Sequence, residues 1–144
     1  MKLKLVDKKN TEASTISFWF KPEENLEFKP GQFLQYFIEN PNPDDRGDKR
    51  FFSIASPPSE DLIRLTTKFS PDGSTFKKDL QKLQIGDSIE ASVPKGSFSL
   101  DDTKEEYVFI AGGIGITPFR SILLDLDYRE KPLNIQLLYA NKTQ

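Results

Sequence analysis

Apolar and polar residues alternate in short runs over the first hundred residues of the chain. Ile16, Phe18 and Phe20 alternate with Ser17 and Trp19, and this period of two predicts a strand with one buried face. Similar runs predict six strands, near residues 3–6, 16–20, 32–38, 51–55, 62–69 and 88–93. Turns that contain proline or glycine separate these runs, a spacing typical of a β-sandwich or a β-barrel.

A single stretch of this region has the period of a helix. Phe76, Leu80 and Leu83 recur at positions i, i+4 and i+7, which predicts an amphipathic helix. The hydroxyl of Ser74 or Thr75 can cap its first turn. We therefore expect one short helix between the fifth and sixth strands.

The pattern changes after residue 100. A charged segment at 101–106 predicts a solvated linker, and a continuous apolar segment at 107–111 predicts a strand buried on both faces. A glycine-rich turn at 112–115 leads into a helix, with Thr117 as its N-cap and Pro118 at its first position. One face of this helix is apolar and consists of Phe119, Ile122, Leu123 and Leu126.

A second buried-type strand, at 135–139, completes a βαβ unit. A two-stranded parallel sheet with one crossover helix leaves its other face uncovered, so we expect the natural protein to continue beyond this chain. The sequence thus predicts a first domain at residues 1–101 and the N-terminal part of a second domain at 102–144.

The amino-acid composition says little about the fold, but it limits the chemistry that the chain can perform. The 144 residues include no Cys and no His. Disulfides, thiolate nucleophiles, zinc sites built from Cys and His, and histidine general bases are therefore excluded within this chain. We expect no metal site, and any enzymatic chemistry must use carboxylates, Lys, Tyr, hydroxyls or a borrowed cofactor.

Charge and hydropathy limit the binding partners and the cellular location that we expect for this protein. The net charge of −2 gives no electrostatic argument for a nucleic acid or an acidic membrane surface as partner. No apolar run approaches the roughly 20 residues that a transmembrane helix needs. The start of the chain lacks the apolar segment of a secretory signal, so we expect a cytoplasmic location.

The turn that opens the second helix is the first candidate site. Gly112, Gly113 and Gly115 let the backbone pass close to a ligand, and the helix that follows offers free N–H groups at its positive end. Such a turn suits a phosphate group, although it has neither the Gly-Lys-Ser/Thr of a P-loop nor the Gly-x-Gly-x-x-Gly spacing. The alternative is that the glycines serve only the packing of the strand against the helix.

The segment Arg50-Phe51-Phe52-Ser53 is the second candidate site. Taken alone, Arg50 follows a charged loop and is expected to be a solvated surface charge. Alternation places Phe51 and Phe52 on opposite faces of a strand. One ring then belongs to the core, and the other either stacks on a planar ligand or forms a second layer of core.

The third candidate is the turn Asp72-Gly73-Ser74-Thr75, which precedes the first predicted helix. Its simplest role is to cap that helix. The alternative is a second anion site, in which backbone N–H groups and the two hydroxyls bind a phosphate.

These segments together resemble the ferredoxin–NADP reductase superfamily. Arg50-Phe51-Phe52-Ser53 looks like its Arg-x-Tyr-Ser/Thr flavin motif, and residues 112–118 are similar to its pyridine-nucleotide loop. Pro30-Gly31-Gln32-Phe33 resembles the turn before the flavin motif, and residues 86–98 resemble the end of the flavin barrel. The resemblance implies a mainly β fold: a six-stranded antiparallel Greek-key barrel that binds FAD, followed by the first βαβ unit of an incomplete α/β nucleotide-binding domain.

The resemblance also implies a role for each motif residue. Arg50 would pair with the FAD pyrophosphate, helped by the hydroxyls at 74–75. Phe52 would lie against the isoalloxazine ring, and Ser53 would hydrogen-bond near the reactive flavin nitrogen. Thr117 would lie at the flavin–nicotinamide junction, which makes Ser53 and Thr117 the implied catalytic residues. The implied cofactor-binding residues are Arg50, Phe51, Phe52, Ser53, Thr66, Gly73, Ser74, Thr75, Gly112, Gly113, Gly115 and Thr117.

The implied activity is that of a flavin-dependent oxidoreductase. Electrons would pass through FAD between NADP or NAD and a ferredoxin, a flavodoxin or another acceptor, so that the flavin does the chemistry that Cys and His cannot do here. Phe52 departs from the family's tyrosine, and the loss of the hydroxyl is expected to weaken FAD binding somewhat or to shift the flavin potential. Lys142 favours NADP, since Asn141-Lys142-Thr143 offers no acidic partner to a ribose 2′-hydroxyl. The alternative is a non-catalytic flavin-binding or protein-interaction β-barrel.

Overall fold

The structure is a computed structural model that describes residues 1–12, 14–100, 104, 106–131 and 134–141. The first six strands are β1 (Lys2–Glu12), β2 (Thr15–Pro22), β3 (Phe33–Phe37), β4 (Lys49–Ser53), β5 (Ile63–Lys68) and β6 (Ser88–Ala91). Helix α1 (Thr75–Lys82) lies between β5 and β6. The six predicted strands and the predicted helix are therefore confirmed.

The six strands form one antiparallel sheet in the order β4-β3-β6-β1-β2-β5. Strands β1 and β2 pair as neighbours along the chain, as do β3 and β4. Strand β6 returns to pair with both β1 and β3, which is a Greek-key type of connection. The mainly β fold class implied by the resemblance is confirmed.

The sheet is not closed into a complete barrel. Among the described residues, no ladder of hydrogen bonds pairs β4 with β5, the strands at its two edges. A backbone bond from the Ala55 N–H to the Arg64 carbonyl oxygen, 2.8 Å long, bridges the gap just beyond β4. Pro57 and Pro58 follow and have no N–H to donate, so the pairing cannot continue along this edge.

Apolar side chains of the strands and of α1 form one core. The alternation in β2 buries Ile16, Phe18 and Phe20, as predicted. Helix α1 adds the buried side chains of Phe76 and Leu80. Other fully buried members are Leu3, Leu5, Leu34, Tyr36, Ile54 and Leu65. The many aromatic rings give this core a large buried apolar area for its length.

The rest of the described chain is a βαβ unit, as predicted. It consists of β7 (Glu106–Gly112), a 3₁₀ turn (Gly113–Ile116), α2 (Thr117–Tyr128) and β8 (Asn134–Ala140). Strands β7 and β8 pair in parallel. Helix α2 covers one face of the pair, and Phe119, Ile122 and Leu126 form a second core there with Phe109 and Ala111.

The expectation that these two strands are buried on both faces is wrong for the described residues. Val108 is 61% exposed and Ile110 is 74% exposed, on the face of β7 away from α2. Leu138 pairs with Ile110 in the adjacent strand and is exposed on the same face. The physical reason is that one crossover helix covers one face of a parallel sheet only.

Two other expectations concern the boundary between the two predicted domains and the presence of a transmembrane helix. The predicted linker at 101–106 lies mostly outside the described residues, as does the boundary between residues 101 and 102, so the division into two domains stays a prediction. Across the part of the chain that the structure describes, no helix has the length and hydropathy to cross a membrane.

Candidate functional site

Arg50, on β4, lies at the centre of the candidate site. Its side chain is only 10% exposed, so the expectation of a solvated surface charge is wrong. Nη1 donates to the carbonyl oxygens of Arg46, Gly47 and Lys49, at 2.7, 2.9 and 2.6 Å. The charged loop before β4 therefore folds around the guanidinium, and its carbonyl groups compensate for the burial of the charge.

The other terminal nitrogen of Arg50 binds Asp44. Arg50 Nη2 and Asp44 Oδ1 form an ion pair at 3.1 Å, and the Arg46 N–H donates to the same oxygen at 3.0 Å. Asp44 Oδ2 accepts a hydrogen bond of 2.8 Å from the N–H of Thr75, the first residue of α1. Free N–H groups and the helix dipole favour an anion at this position. The Asp44 carboxylate thus joins Arg50 to the N-terminus of α1, and we call these groups the anion-binding cluster.

The electrostatics of the anion-binding cluster favour a negative charge. The Thr75 N–H is the main cause that lowers the pKa of Asp44, with contributions from the Arg46 N–H and the Arg50 charge. Burial is the main cause that lowers the pKa of Lys77, also on α1, and repulsion from Arg46 and Arg50 adds to it. Lys77 therefore lies within electrostatic range of Arg46 and Arg50.

The lowered pKa of Asp44 predicts a pH dependence of stability. Because the folded-state pKa lies below the unfolded value of about 3.9, the carboxylate stabilises the fold above that pH and loses the effect as the pH falls through its folded pKa. We expect the free energy of unfolding of Asp44→Asn to lack this part of the loss at acid pH. Urea unfolding at a series of pH values measures it. Asp45→Asn, which changes an exposed neighbour, should keep it. The same pH profile in Asp44→Asn and in the unchanged protein would contradict the assignment.

Phe51 and Phe52 point to opposite faces of β4, as predicted. Phe51 is 59% exposed, so the alternative that it forms a second layer of core is wrong. Phe52 is half-buried, and its ring centroid lies 5.8 Å from that of Tyr36 and 6.0 Å from that of Phe76. Ser53 ends β4 half-buried, and its hydroxyl makes no hydrogen bond to the residues that the structure describes.

The turn before α1 has the capping role that was its simplest interpretation. The Ser74 hydroxyl accepts a hydrogen bond of 3.4 Å from the Lys77 N–H, and Ser74 is the N-cap of the helix. The Gly73 N–H donates to the Ser70 carbonyl oxygen at 2.9 Å within the turn. The first turn of α1 thereby presents the Thr75 N–H to the anion-binding cluster.

Two buried side-chain polar atoms have no hydrogen-bond partner among the described residues, Tyr36 Oη and Arg50 Nε. The two residues lie directly opposite each other on β3 and β4. Burial raises the pKa of Tyr36, as expected for a phenol in apolar surroundings. Such atoms are rare because each costs free energy when unpaired. The residues fit a cofactor that carries phosphate, since Arg50 retains a donor for it.

An open cleft between β5 and the glycine turn contains a second group of predicted residues. Thr66, on β5, lines one side, and Gly112, Gly113 and Thr117 line the other. Thr66 Oγ1 accepts a hydrogen bond of 3.2 Å from Arg64 Nε, which also lines the cleft. The structure thus brings Thr66 together with the predicted nucleotide loop, whereas Arg50 and the start of α1 form the separate anion-binding cluster.

Among the described residues, the space around the glycines of this turn is open. A Cβ atom placed on Gly112, Gly113 or Gly115 would meet no described atom within 4 Å. Gly113 has a φ of +49°, a conformation that favours glycine, and its carbonyl oxygen accepts a hydrogen bond of 3.1 Å from Tyr139 Oη. The alternative that the glycines serve only the contact of strand and helix therefore loses its support.

The prediction that Thr117 is the N-cap of α2 is wrong. The 3₁₀ turn runs directly into the helix, so Ile116 is the N-cap and already has helical dihedral angles. Thr117 Oγ1 donates to the Ile114 carbonyl oxygen at 3.1 Å instead of accepting from a later N–H. Pro118 lies in the first turn, at the second helical position and not at the first as predicted.

Two side chains of α2 hold the βαβ unit against the chain just after β4. Ser121 Oγ donates to the Ser56 carbonyl oxygen at 2.7 Å, and both residues are fully buried. Arg120 Nη1 donates to the Ala55 carbonyl oxygen at 2.6 Å, and Nη2 pairs with Glu60 at 3.2 Å. These bonds hold the helix that carries Thr117 next to the segment that follows Arg50-Phe51-Phe52-Ser53.

The buried bond of Ser121 should be measurable as stability. Ser121→Ala leaves the Ser56 carbonyl oxygen buried without this donor, so we expect the free energy of unfolding to fall by about 1–3 kcal/mol. Ser99→Ala, at an exposed position, should change it by less than about 0.5 kcal/mol. Urea unfolding of both variants tests this, and equal effects would contradict the assigned bond.

The sequence patterns did not identify Asp44, Arg120 or Ser121. Asp44 belongs to a charged loop with several carboxylates, and its contact with Thr75 joins residues 31 positions apart. No local period shows which carboxylate makes such a contact. Arg120 and Ser121 had one signal, their polar character beside the apolar face of the predicted helix.

Comparison with known proteins agrees with this architecture. The family model of the oxidoreductase FAD-binding domain matches residues 2–100. A flavohemoprotein of Bacillus subtilis is 33% identical over 143 residues, which are 96% of this chain and 35% of that protein. Reductase component 1 of the Comamonas sp terephthalate 1,2-dioxygenase is 36% identical over 116 residues, which are 78% of this chain and 32% of that protein. The chain thus spans about a third of the length of these curated relatives.

Solved structures extend the likeness to the fold. The FAD/NAD-binding domain of the nitric oxide dioxygenase from Vibrio cholerae has a TM-score of 0.82 at 24% identity, over 99% of this chain and 62% of that chain. The ferredoxin–NADP⁺ reductase of Plasmodium falciparum has a TM-score of 0.79 at 20% identity, over 99% of this chain and 59% of that chain. The predicted resemblance to the ferredoxin–NADP reductase superfamily is confirmed, as is FAD as the cofactor of the family. Because the family model matches most of its residues, the chain belongs to the oxidoreductase FAD-binding domain family.

Proposed function

We propose that this chain binds FAD as part of an oxidoreductase that passes electrons between NAD(P)H and an acceptor. The observation that carries the proposal is the anion-binding cluster, where the buried Arg50 and the N-terminus of α1 meet at one carboxylate. A pyrophosphate is the part of FAD that such donors recognise. The half-buried ring of Phe52 on the same strand offers an apolar surface to the isoalloxazine ring.

Each predicted residue has a role in this proposal. Arg50, Ser74 and Thr75 hold the pyrophosphate. Phe52 lies against the isoalloxazine ring, and the Ser53 hydroxyl hydrogen-bonds the flavin near its reactive nitrogen. Phe51, Thr66 and Gly73 complete the proposed FAD-binding set. The departure at Phe52 keeps an aromatic surface without a hydroxyl, so the stacking contact does not depend on the missing tyrosine.

The glycine turn is proposed to face the nicotinamide nucleotide through Gly112, Gly113, Gly115 and Thr117. Support comes from the open space around the glycines and from the cleft that the turn shares with β5. In this proposal residues 1–101 form the flavin domain and residues 102–144 begin the nucleotide domain. Lys142 lies outside the described residues, so the preference for NADP over NAD stays a prediction.

Bound FAD would supply the chemistry of hydride and electron transfer between the pyridine nucleotide and the acceptor. The chain itself contributes binding, orientation and charge, and these need neither Cys nor His. The relatives include the reductase component of a dioxygenase, which supports a redox acceptor protein as the partner, with a small-molecule acceptor as the other possibility. The cytoplasmic location remains a prediction.

Anaerobic absorbance spectroscopy of the full-length protein purified with FAD tests the proposal. The protein should be yellow and should lose its flavin absorbance on addition of NADPH or NADH. A yellow protein that neither nucleotide reduces would contradict the reductase activity and leave a flavin-binding module. A colourless protein that takes up no added FAD would contradict both.

A further inference from the structure

The Asp44 carboxylate uses the donors that the proposed function assigns to the pyrophosphate. Its two oxygens accept from Arg50 Nη2 and from the Thr75 N–H, at 3.1 and 2.8 Å. The Arg46 N–H adds a third bond. Asp44 therefore occupies Arg50 Nη2 and the Thr75 N–H, and an anionic ligand that binds these two donors must replace it.

We propose that Asp44 is an internal competitor of the FAD pyrophosphate. Its carboxylate leaves Arg50 and Thr75 when the pyrophosphate binds them, so Asp44 sets the affinity for FAD without being a ligand of FAD. This inference rests on the proposed function, because it takes FAD to use these donors.

Charge favours the exchange. Two anions at one guanidinium repel each other, so the carboxylate and the pyrophosphate exclude each other. Lys77 lies within electrostatic range of Arg46 and Arg50, since burial is the main cause that lowers its pKa and repulsion from these two arginines adds to it. A pyrophosphate carries more negative charge than one carboxylate, so it compensates these cations better than Asp44 does.

The position of Asp44 permits the movement. Asp44 lies in the loop between β3 and β4, outside both strands, and its side chain is 29% exposed. Its displacement therefore breaks no ladder of the sheet. Arg50 stays in place on β4, because its Nη1 keeps the three carbonyl partners of the loop and its Nε is still unpaired.

Titration of FAD into the protein, followed by quenching of flavin fluorescence, tests the inference. Asp44→Asn removes the charge at nearly constant shape, and we expect it to bind FAD about tenfold more tightly than the unchanged protein. Asp45→Asn removes the same charge at the next residue, which is exposed. We expect its affinity for FAD to change by less than about twofold, because it leaves the cluster intact.

A second measurement, of the melting temperature, does not depend on flavin fluorescence. Without FAD, Asp44→Asn should melt at a lower temperature than the unchanged protein, because the ion pair with Arg50 is lost. With saturating FAD, its melting temperature should rise by more than that of the unchanged protein. Asp44→Ser keeps a small acceptor near Thr75. It should also melt at a lower temperature than the unchanged protein without FAD, and saturating FAD should raise its melting temperature by more.

The outcomes separate the inference from the proposed function. If the unchanged protein binds FAD and Asp44→Asn binds it equally or more weakly, the competition is overturned and the function stands. An equal gain in Asp45→Asn also overturns it, since net charge alone would then explain the gain. If neither the unchanged protein nor any variant binds FAD, the proposed function fails and the inference fails with it.

Discussion

Replacement of Arg50 by alanine is expected to weaken FAD binding by about 100-fold, the equivalent of two charge-assisted hydrogen bonds to phosphate. Arg50 is buried on β4, and Nη2 points to the Asp44 carboxylate at the N-terminus of α1. Alanine removes both the charge and the donors from the proposed pyrophosphate site. Titration of FAD followed by fluorescence quenching measures the loss.

Two variants control this experiment. Arg50→Lys keeps the charge and loses the planar fork, so we expect an affinity between those of alanine and arginine. Lys49→Ala removes one positive charge from an exposed side chain at the start of the same strand, outside the anion-binding cluster, and should weaken binding by only about twofold. Unchanged FAD affinity in a folded Arg50→Ala protein would return Arg50 to a purely structural role in the loop.

Replacement of Gly31 by alanine is expected to lower the free energy of unfolding by about 3 kcal/mol or more. Gly31 has a φ of +94°, and a Cβ atom there would lie 1.9 Å from the Phe98 carbonyl oxygen. Left-handed strain and a clash with backbone therefore add, and the clash lies between the turn before β3 and the chain after β6. Urea unfolding monitored by tryptophan fluorescence measures the change.

Gly47→Ala separates these two causes. Gly47 also has a positive φ, +69°, but a Cβ atom there meets nothing within 4 Å. Its expected cost is about 1 kcal/mol, from backbone strain alone. Equal costs at Gly31 and Gly47 would contradict the close approach of the backbone to Phe98.

The strands and helices were predictable because their signals are local. The period of two at Ile16, Phe18 and Phe20 and the period of four at Phe76 and Leu80 depend on which face of one element is buried. Both periods are visible without knowledge of any distant contact. The order of the motifs along the chain then indicated the fold, because it resembles the order in the ferredoxin–NADP reductase superfamily.

The contacts that build the site were not predictable in this way. Asp44 and Thr75 meet across 31 residues, and Ser121 and Ser56 meet across 65. Arg50 was expected in solvent because the loop before it is charged, yet the carbonyl groups of that loop are what permit its burial. Such contacts follow from the tertiary arrangement, which no single segment of the sequence contains.

The most direct test of the central claim is a comparison of FAD with riboflavin, which has the same ring system without pyrophosphate or adenosine. We expect one FAD bound per chain, at least about 100-fold more tightly than riboflavin, because the main recognition is of phosphate by Arg50 and the first turn of α1. Equal affinity for the two flavins, or no binding of FAD, would contradict it.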